Sequence, residues 1–100
     1  FAPLIITVIA RLTPKHKVPE QEQILSGGAV CFALLQAAQG LGYGAQWLTG
    51  WAAYDPVITK KLGIEENECI LGFIHIGNAD EMAPERLRPK LDDLLSDLSL

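Results

Sequence analysis

One hundred residues with 49% hydrophobic and 20% charged side chains and a formal net charge of −4 describe one globular domain and leave no room for a second. The acidic balance, without a cluster of Lys and Arg, excludes the footprint of a nucleic-acid binder, and apolar runs well short of about 20 residues exclude a membrane-spanning helix. With nine glycines counted in, the apolar share exceeds the roughly 45–50% of ordinary domains, so a surface for a partner, a cofactor or another part of the same protein is expected.

In chain order, residues 1–11 (FAPLIITVIAR) crowd β-branched side chains into an apolar run, the pattern of a strand covered on both faces. A chain rarely opens inside such a strand, so Phe1 reads as an internal cut, with neighbouring strands and layers in sequence beyond it. No cationic segment precedes the run, as a signal peptide would require. Residues 13–18 form a polar loop in which Lys15, His16 and Lys17 make the densest basic spot, read as solvated. Pro19, Glu20 and Glu22 open a helix, with Pro in the first turn and carboxylates at the positive end of the dipole.

That helix runs to about Leu41 with Ile24, Leu25, Gly28, Cys31, Phe32, Leu35 and Ala38 on one stripe. Between Gly27 and Ala38 only Gln36 is polar, so burial by more than one neighbour is expected. Gly27, Gly28, Ala29 and Ala33 admit close approach of another element, a second subunit included. Gly40, Gly42 and Gly44 end the helix, the first or second in a left-handed cap; their G-x-G-x-G spacing follows a helix and precedes a strand, the reverse of a dinucleotide fingerprint.

Residues 45–49 read as a second strand, closed by Gly50 and a loop through Tyr54. Asp55 and Pro56 cap a short helix ending at Gly63. Glu65, Glu66 and Glu68 form an acidic turn, read as solvated, and residues 69–76 a third apolar strand ending at Gly77. Beyond a Pro-interrupted polar stretch, Leu91, Leu94, Leu95 and Leu98 recur at helical spacing, the mark of a short amphipathic helix docking on an apolar surface.

The usual catalytic constellations are absent. Ser26 lies in L-S-G-G, not on a nucleophile elbow; His16 sits in the loop, and His75 reads as an outward strand residue between two isoleucines. Cys31 and Cys69, far apart and without C-x-x-C, read as reduced core thiols of a cytoplasmic protein. No catalytic side chain and no metal ligand is assigned. The unusual stretch is Trp47 to Trp51, W-L-T-G-W, at a strand end. Either the indoles form apolar walls for a ligand, with Thr49 and the Gly50 N–H meeting its polar atoms, or they are core tryptophans beside a turn.

The succession A-P-L-I-I-T-V-I-A-R, H-K-V-P-E-Q-E-Q, Q-G-L-G-Y-G-A-Q-W-L-T-G, D-P-V and I-L-G-F-I-H-I-G resembles the C-terminal portion of the nitroreductase family, in its compact bacterial branch of FMN-dependent NAD(P)H enzymes. The resemblance implies an α+β, three-layer fold with a central, mainly antiparallel sheet flanked by helices, of which this chain is a C-terminal fragment. It implies a homodimer holding FMN in a groove at the subunit interface. Trp47, Leu48 and Thr49 match the family's FMN contacts after the middle strand, and Gly50 joins them on geometry. Ala37, Ala38, Gln39, Gly40, Leu41 and Gly42 match the stretch that engages the nicotinamide cofactor. Leu48 stands where relatives often carry a basic residue, so a phosphate charge would be met elsewhere.

The implied activity is ping-pong hydride transfer from NAD(P)H to a nitroaromatic, quinone or similar small electron acceptor, with the cofactor supplying the reactivity. The alternatives are a non-catalytic dimerisation or binding module, and an FMN enzyme of the same fold with other chemistry, such as flavin fragmentation or dehalogenation.

Overall fold

A computed structural model describes residues 2–81 and 84–99; Phe1 lies outside them. The elements are β1 (Leu4–Arg11), α1 (Glu20–Gly40), β2 (Gly44–Leu48), a 3-10 turn (Trp51–Ala53), α2 (Pro56–Lys61), β3 (Glu68–Gly77) and the single turn α3 (Leu91–Leu94). The three strands form one antiparallel sheet in the order β1-β3-β2, and α1 lies against all three. The result is an α+β arrangement with an open antiparallel sheet.

Local chemistry explains the element ends. Asp55 Oδ1 accepts from the N–H groups of Val57 at 2.8 Å and Ile58 at 3.1 Å, and Pro56 occupies the first helical position, where no N–H is needed. Gly63, with φ of 75°, turns the chain out of α2, and Gly42, the first glycine after α1 and the second of the Gly40, Gly42, Gly44 series, takes φ of 88°. Pro19 is the N-cap of α1 and no side chain caps that end. The loop before it is instead pinned by Gln23, whose Oε1 accepts from Thr13 N–H and whose Nε2 donates to the Thr13 and Val18 carbonyls.

β3 takes the centre, and alternate residues of one of its faces are buried: Ile70 and Ile74, joined in the core by Cys31, Ala38 and Ala53. Its register against β1 slips between Val8 and Ile9, which pair with Gly72 and Ile70. Leu71 is therefore a β-bulge residue with no partner on β1, and β2 pairs only with residues 73–77.

Three of the expected covers are not supplied by the described residues of this chain. β1, expected to be covered on both faces with neighbours partly in sequence beyond Phe1, lies at the edge of the sheet that this chain forms, and Leu4, Ile5 and Ile9 are exposed there. α1 was expected to be buried nearly all round, but only one stripe meets the sheet, leaving Leu25, Val30 and Phe32 exposed. Gly27 and Gly28 do admit a close neighbour, and that neighbour is the chain's own sheet: a Cβ on Gly27 would collide with Leu71, and one on Gly28 would lie 3.8 Å from the Trp47 ring. The leucine segment forms one helical turn and docks on none of the described residues; Leu91, Leu94, Leu95 and Leu98 are exposed.

Candidate functional site

The corner where the chain leaves β2 is assembled from four consecutive residues and two faces of the sheet. Trp47 pairs with Ile74 and Leu48 with Phe73, and side chains directly opposite in an antiparallel ladder share a face. Trp47 therefore lies on the α1 side, beside Gly28, and Leu48 points to the opposite side. The Trp47 indole crosses β3: its Nε1–H donates to the Leu71 carbonyl at 3.0 Å, and a Cβ on Gly72 would overlap its Nε1 and Cδ1.

Thr49 falls one residue beyond the strand and is half-buried. Gly50 follows with φ of 62° and ψ of −168°, a combination open essentially to glycine alone. A Cβ there would meet nothing within 4 Å, so the backbone borders open space. Among the described residues, the Thr49 hydroxyl and the Gly50 N–H make no hydrogen bond. Trp51 and Tyr54 stand exposed next to them, while Ala53 anchors the turn in the core. The corner thus offers a hydroxyl, a free N–H, flat aromatic walls and no charge.

The second group sits at the C-terminal end of α1. Ala38 is buried, whereas Ala37, Gln39, Gly40, Leu41 and Gly42 are exposed. The carbonyls of Ala37, Ala38 and Gln39 accept from the N–H groups of Leu41, Gly42 and Tyr43, which satisfies the helix end. No basic residue occupies the last turn, leaving the negative end of the dipole uncompensated. β2 separates the two groups, so Gly42 and Thr49 lie on the order of 15–20 Å apart at strand rise. One chain does not bring them together.

Other titratable groups have structural occupations. Glu68 was expected to be solvated; instead Oε1 accepts from the Glu65 N–H at 2.8 Å and Oε2 pairs with Arg11 at 3.1 Å. The Glu65 N–H, helped by the Arg11 guanidinium, holds its carboxyl below the ordinary range. Cys31 is fully buried, and burial pushes its thiol up; it and Cys69 are free. His75 is half-buried between Ile5 and Gln46, and no group of His, Cys, Asp or Glu among the described residues is placed to hold a metal. Two open depressions, of about 500 Å³ between Leu12, Pro14, Glu20 and the 65–67 turn and about 350 Å³ around Arg11, His16 and Gln23, include none of the corner residues. No helix among the described residues is long and apolar enough to cross a membrane.

Leu71 and Gly72 escaped the sequence reading. The available signal was a glycine inside an otherwise unbroken apolar strand, which marks a bulge or a close approach.

Comparison with known proteins gives one consistent result. The sequence model of the Nitroreductase family matches residues 2–78. The chain is 41% identical over 76 residues to the Escherichia coli protein named "Putative NAD(P)H nitroreductase YdjA", covering 76% of this chain and 42% of that one. It is 32% identical over 88 residues to a Haemophilus influenzae protein of the same description, covering 87% and 48%. The chain thus spans less than half the length of these curated relatives. Among solved structures, a nitroreductase-like family protein from Bacillus cereus superposes with a TM-score of 0.86 at 22% identity, over 97% of this chain and 51% of that chain. A nitroreductase family protein from Streptococcus pneumoniae superposes with a TM-score of 0.65 at 22% identity, over 81% and 42%. These two likenesses show the fold.

Proposed function

We propose, from the premise that this chain belongs to the nitroreductase family, that the protein carrying it is an FMN-dependent oxidoreductase driven by NAD(P)H. When bound, the flavin would take a hydride from the nicotinamide and deliver electrons to a nitroaromatic, quinone or similar electron-poor acceptor. The observation that carries the reading is the strand-exit corner. Among the described residues its Thr49 hydroxyl and Gly50 N–H make no hydrogen bond, and Gly50 borders open space beside exposed aromatics, a donor set that suits the heteroatoms of a neutral ring.

In this reading Leu48, Thr49 and Gly50 contact the isoalloxazine, and Trp47 belongs to the same segment. The corner carries no positive charge, so the FMN phosphate is bound by residues outside it. Ala37 to Gly42 serve the nicotinamide cofactor. The uncompensated helix C-terminus disfavours a phosphate there, so contact is to the nicotinamide ring and its amide rather than to the diphosphate.

The separation of the two groups along one chain suits a homodimer in which each subunit supplies one group to a shared site. The exposed Leu25, Val30 and Phe32 on α1 supply apolar surface for that contact. The free thiols suit a reducing, cytoplasmic setting.

The test is to purify the full-length protein and record its visible spectrum. A flavin band, with NADPH or NADH oxidation stimulated by a nitroaromatic or quinone, is the expected result. A colourless protein that takes up no added FMN favours the binding-module reading. Bound FMN without acceptor-dependent oxidation points to other flavin chemistry on this fold.

A further inference from the structure

Three contacts converge on one side chain. The Trp47 indole donates to the carbonyl of Leu71, a residue the bulge leaves without a ladder partner on β1 or β2. It lies flat over Gly72, where any β-carbon would overlap it. Gly28 of α1 leaves room for the far edge of the ring at 3.8 Å. Ile74, the register partner of Trp47, is fully buried and is not part of this grip. β2 has only one further paired residue, Leu48, before the chain turns through Gly50. A two-residue strand end held by backbone pairing alone frays, whereas an indole fixed at its N–H and packed over Gly72, although 38% exposed, holds the backbone it hangs from.

We propose that Trp47 is a positioning residue: gripped by the Leu71 carbonyl and the bare backbone of Gly72, it sets where Leu48, Thr49 and Gly50 leave the sheet. Its ring is engaged on the α1 side and is not itself a wall of the cofactor groove. This goes beyond the flavin reading and rests on it. The bulge at Leu71 and the glycine at 72 then form one device with Trp47, since the bulge frees the acceptor and the glycine clears the path to it.

The experiment uses the full-length protein and three variants, Trp47→Phe, Gly72→Ala and Trp47→Ala/Gly72→Ala, with Ile74→Val as a control for general loosening of the same sheet face. Three quantities are read: solvent exchange of the Trp47 indole N–H by NMR, the dissociation constant for FMN, and the thermal midpoint. In the wild type the indole N–H, identified by its loss in Trp47→Phe, exchanges slowly. Trp47→Phe weakens FMN by about fivefold, the weight of one net hydrogen bond, and shifts the visible band of the bound flavin. Ile74→Val lowers the midpoint without changing FMN affinity. Gly72→Ala is severe alone and is relieved when Trp47 is also truncated, a non-additive cycle. A fast-exchanging indole, or Trp47→Phe with wild-type FMN affinity and spectrum, overturns the proposal and leaves the flavin reading standing. Wild-type protein that binds no FMN overturns both.

Discussion

At Gly50 the backbone requirement and the open space can be separated. A methyl group there meets no neighbour, yet φ of 62° with ψ of −168° strains any L side chain; Gly50→Ala is expected to cost about 1–3 kcal/mol, read as a lower urea midpoint of the full-length protein. Glu68 gives a pH test. Its carboxyl titrates below the ordinary value because the Glu65 N–H and Arg11 favour the anion. Its stabilisation is therefore present at neutral pH and lost as pH falls through its lowered folded pKa. Glu68→Gln should be less stable than wild type at pH 7, with the difference fading below about pH 4; a constant difference down to pH 2 would exclude the charge as its source. The sequence showed Glu68 only as part of an acidic turn, because its partner Arg11 lies 57 residues away and no local pattern records such a pair.

At the scale of the element, caps were legible and exposure was not. Asp55 followed by Pro56 announces α2 through chemistry complete within four residues, and the structure has both capping bonds. Asp55→Ala should destabilise by about 1 kcal/mol, with Asp55→Asn nearly neutral because its side-chain oxygen still accepts; an equally harmful Asn variant would argue against the cap. β2, β3 and the long helix were legible within one or two residues and β1 within three, their apolar periodicity being local. What the sequence could not show was position in the sheet. An edge strand and a central one share a composition, and β1, at the edge of the sheet this chain forms, is apolar enough for either. The bulge at Leu71 was equally hidden, since only cross-strand register reveals it.

For the whole molecule the decisive quantity is apolar surface without a cover. Five apolar residues form the described core, while α1, β1 and the terminal leucines expose large side chains. The radius of gyration of 16.9 Å exceeds the about 13 Å of a compact domain of 100 residues. The isolated 100-residue chain is therefore expected to unfold without a cooperative transition or to self-associate; a sharp, concentration-independent transition of a monomer would contradict this. Family and fold were legible because G-Y-G-A-Q-W-L-T-G and G-F-I-H-I-G are long, contiguous segments. The site was legible only in part: Gly50 stands beside open space, but Trp47, though partly exposed, is drawn across β3 by contacts with residues 24 and 25 positions away.

The central claim is that this corner is one side of a flavin site completed across two subunits. Titrating FMN into cofactor-free full-length protein, with the mass of the complex determined by light scattering, tests it most directly. The account predicts one FMN per subunit bound to a dimer, with affinity lost when the protein is dissociated. A monomer that binds FMN at full strength, or a dimer that binds none, would contradict it.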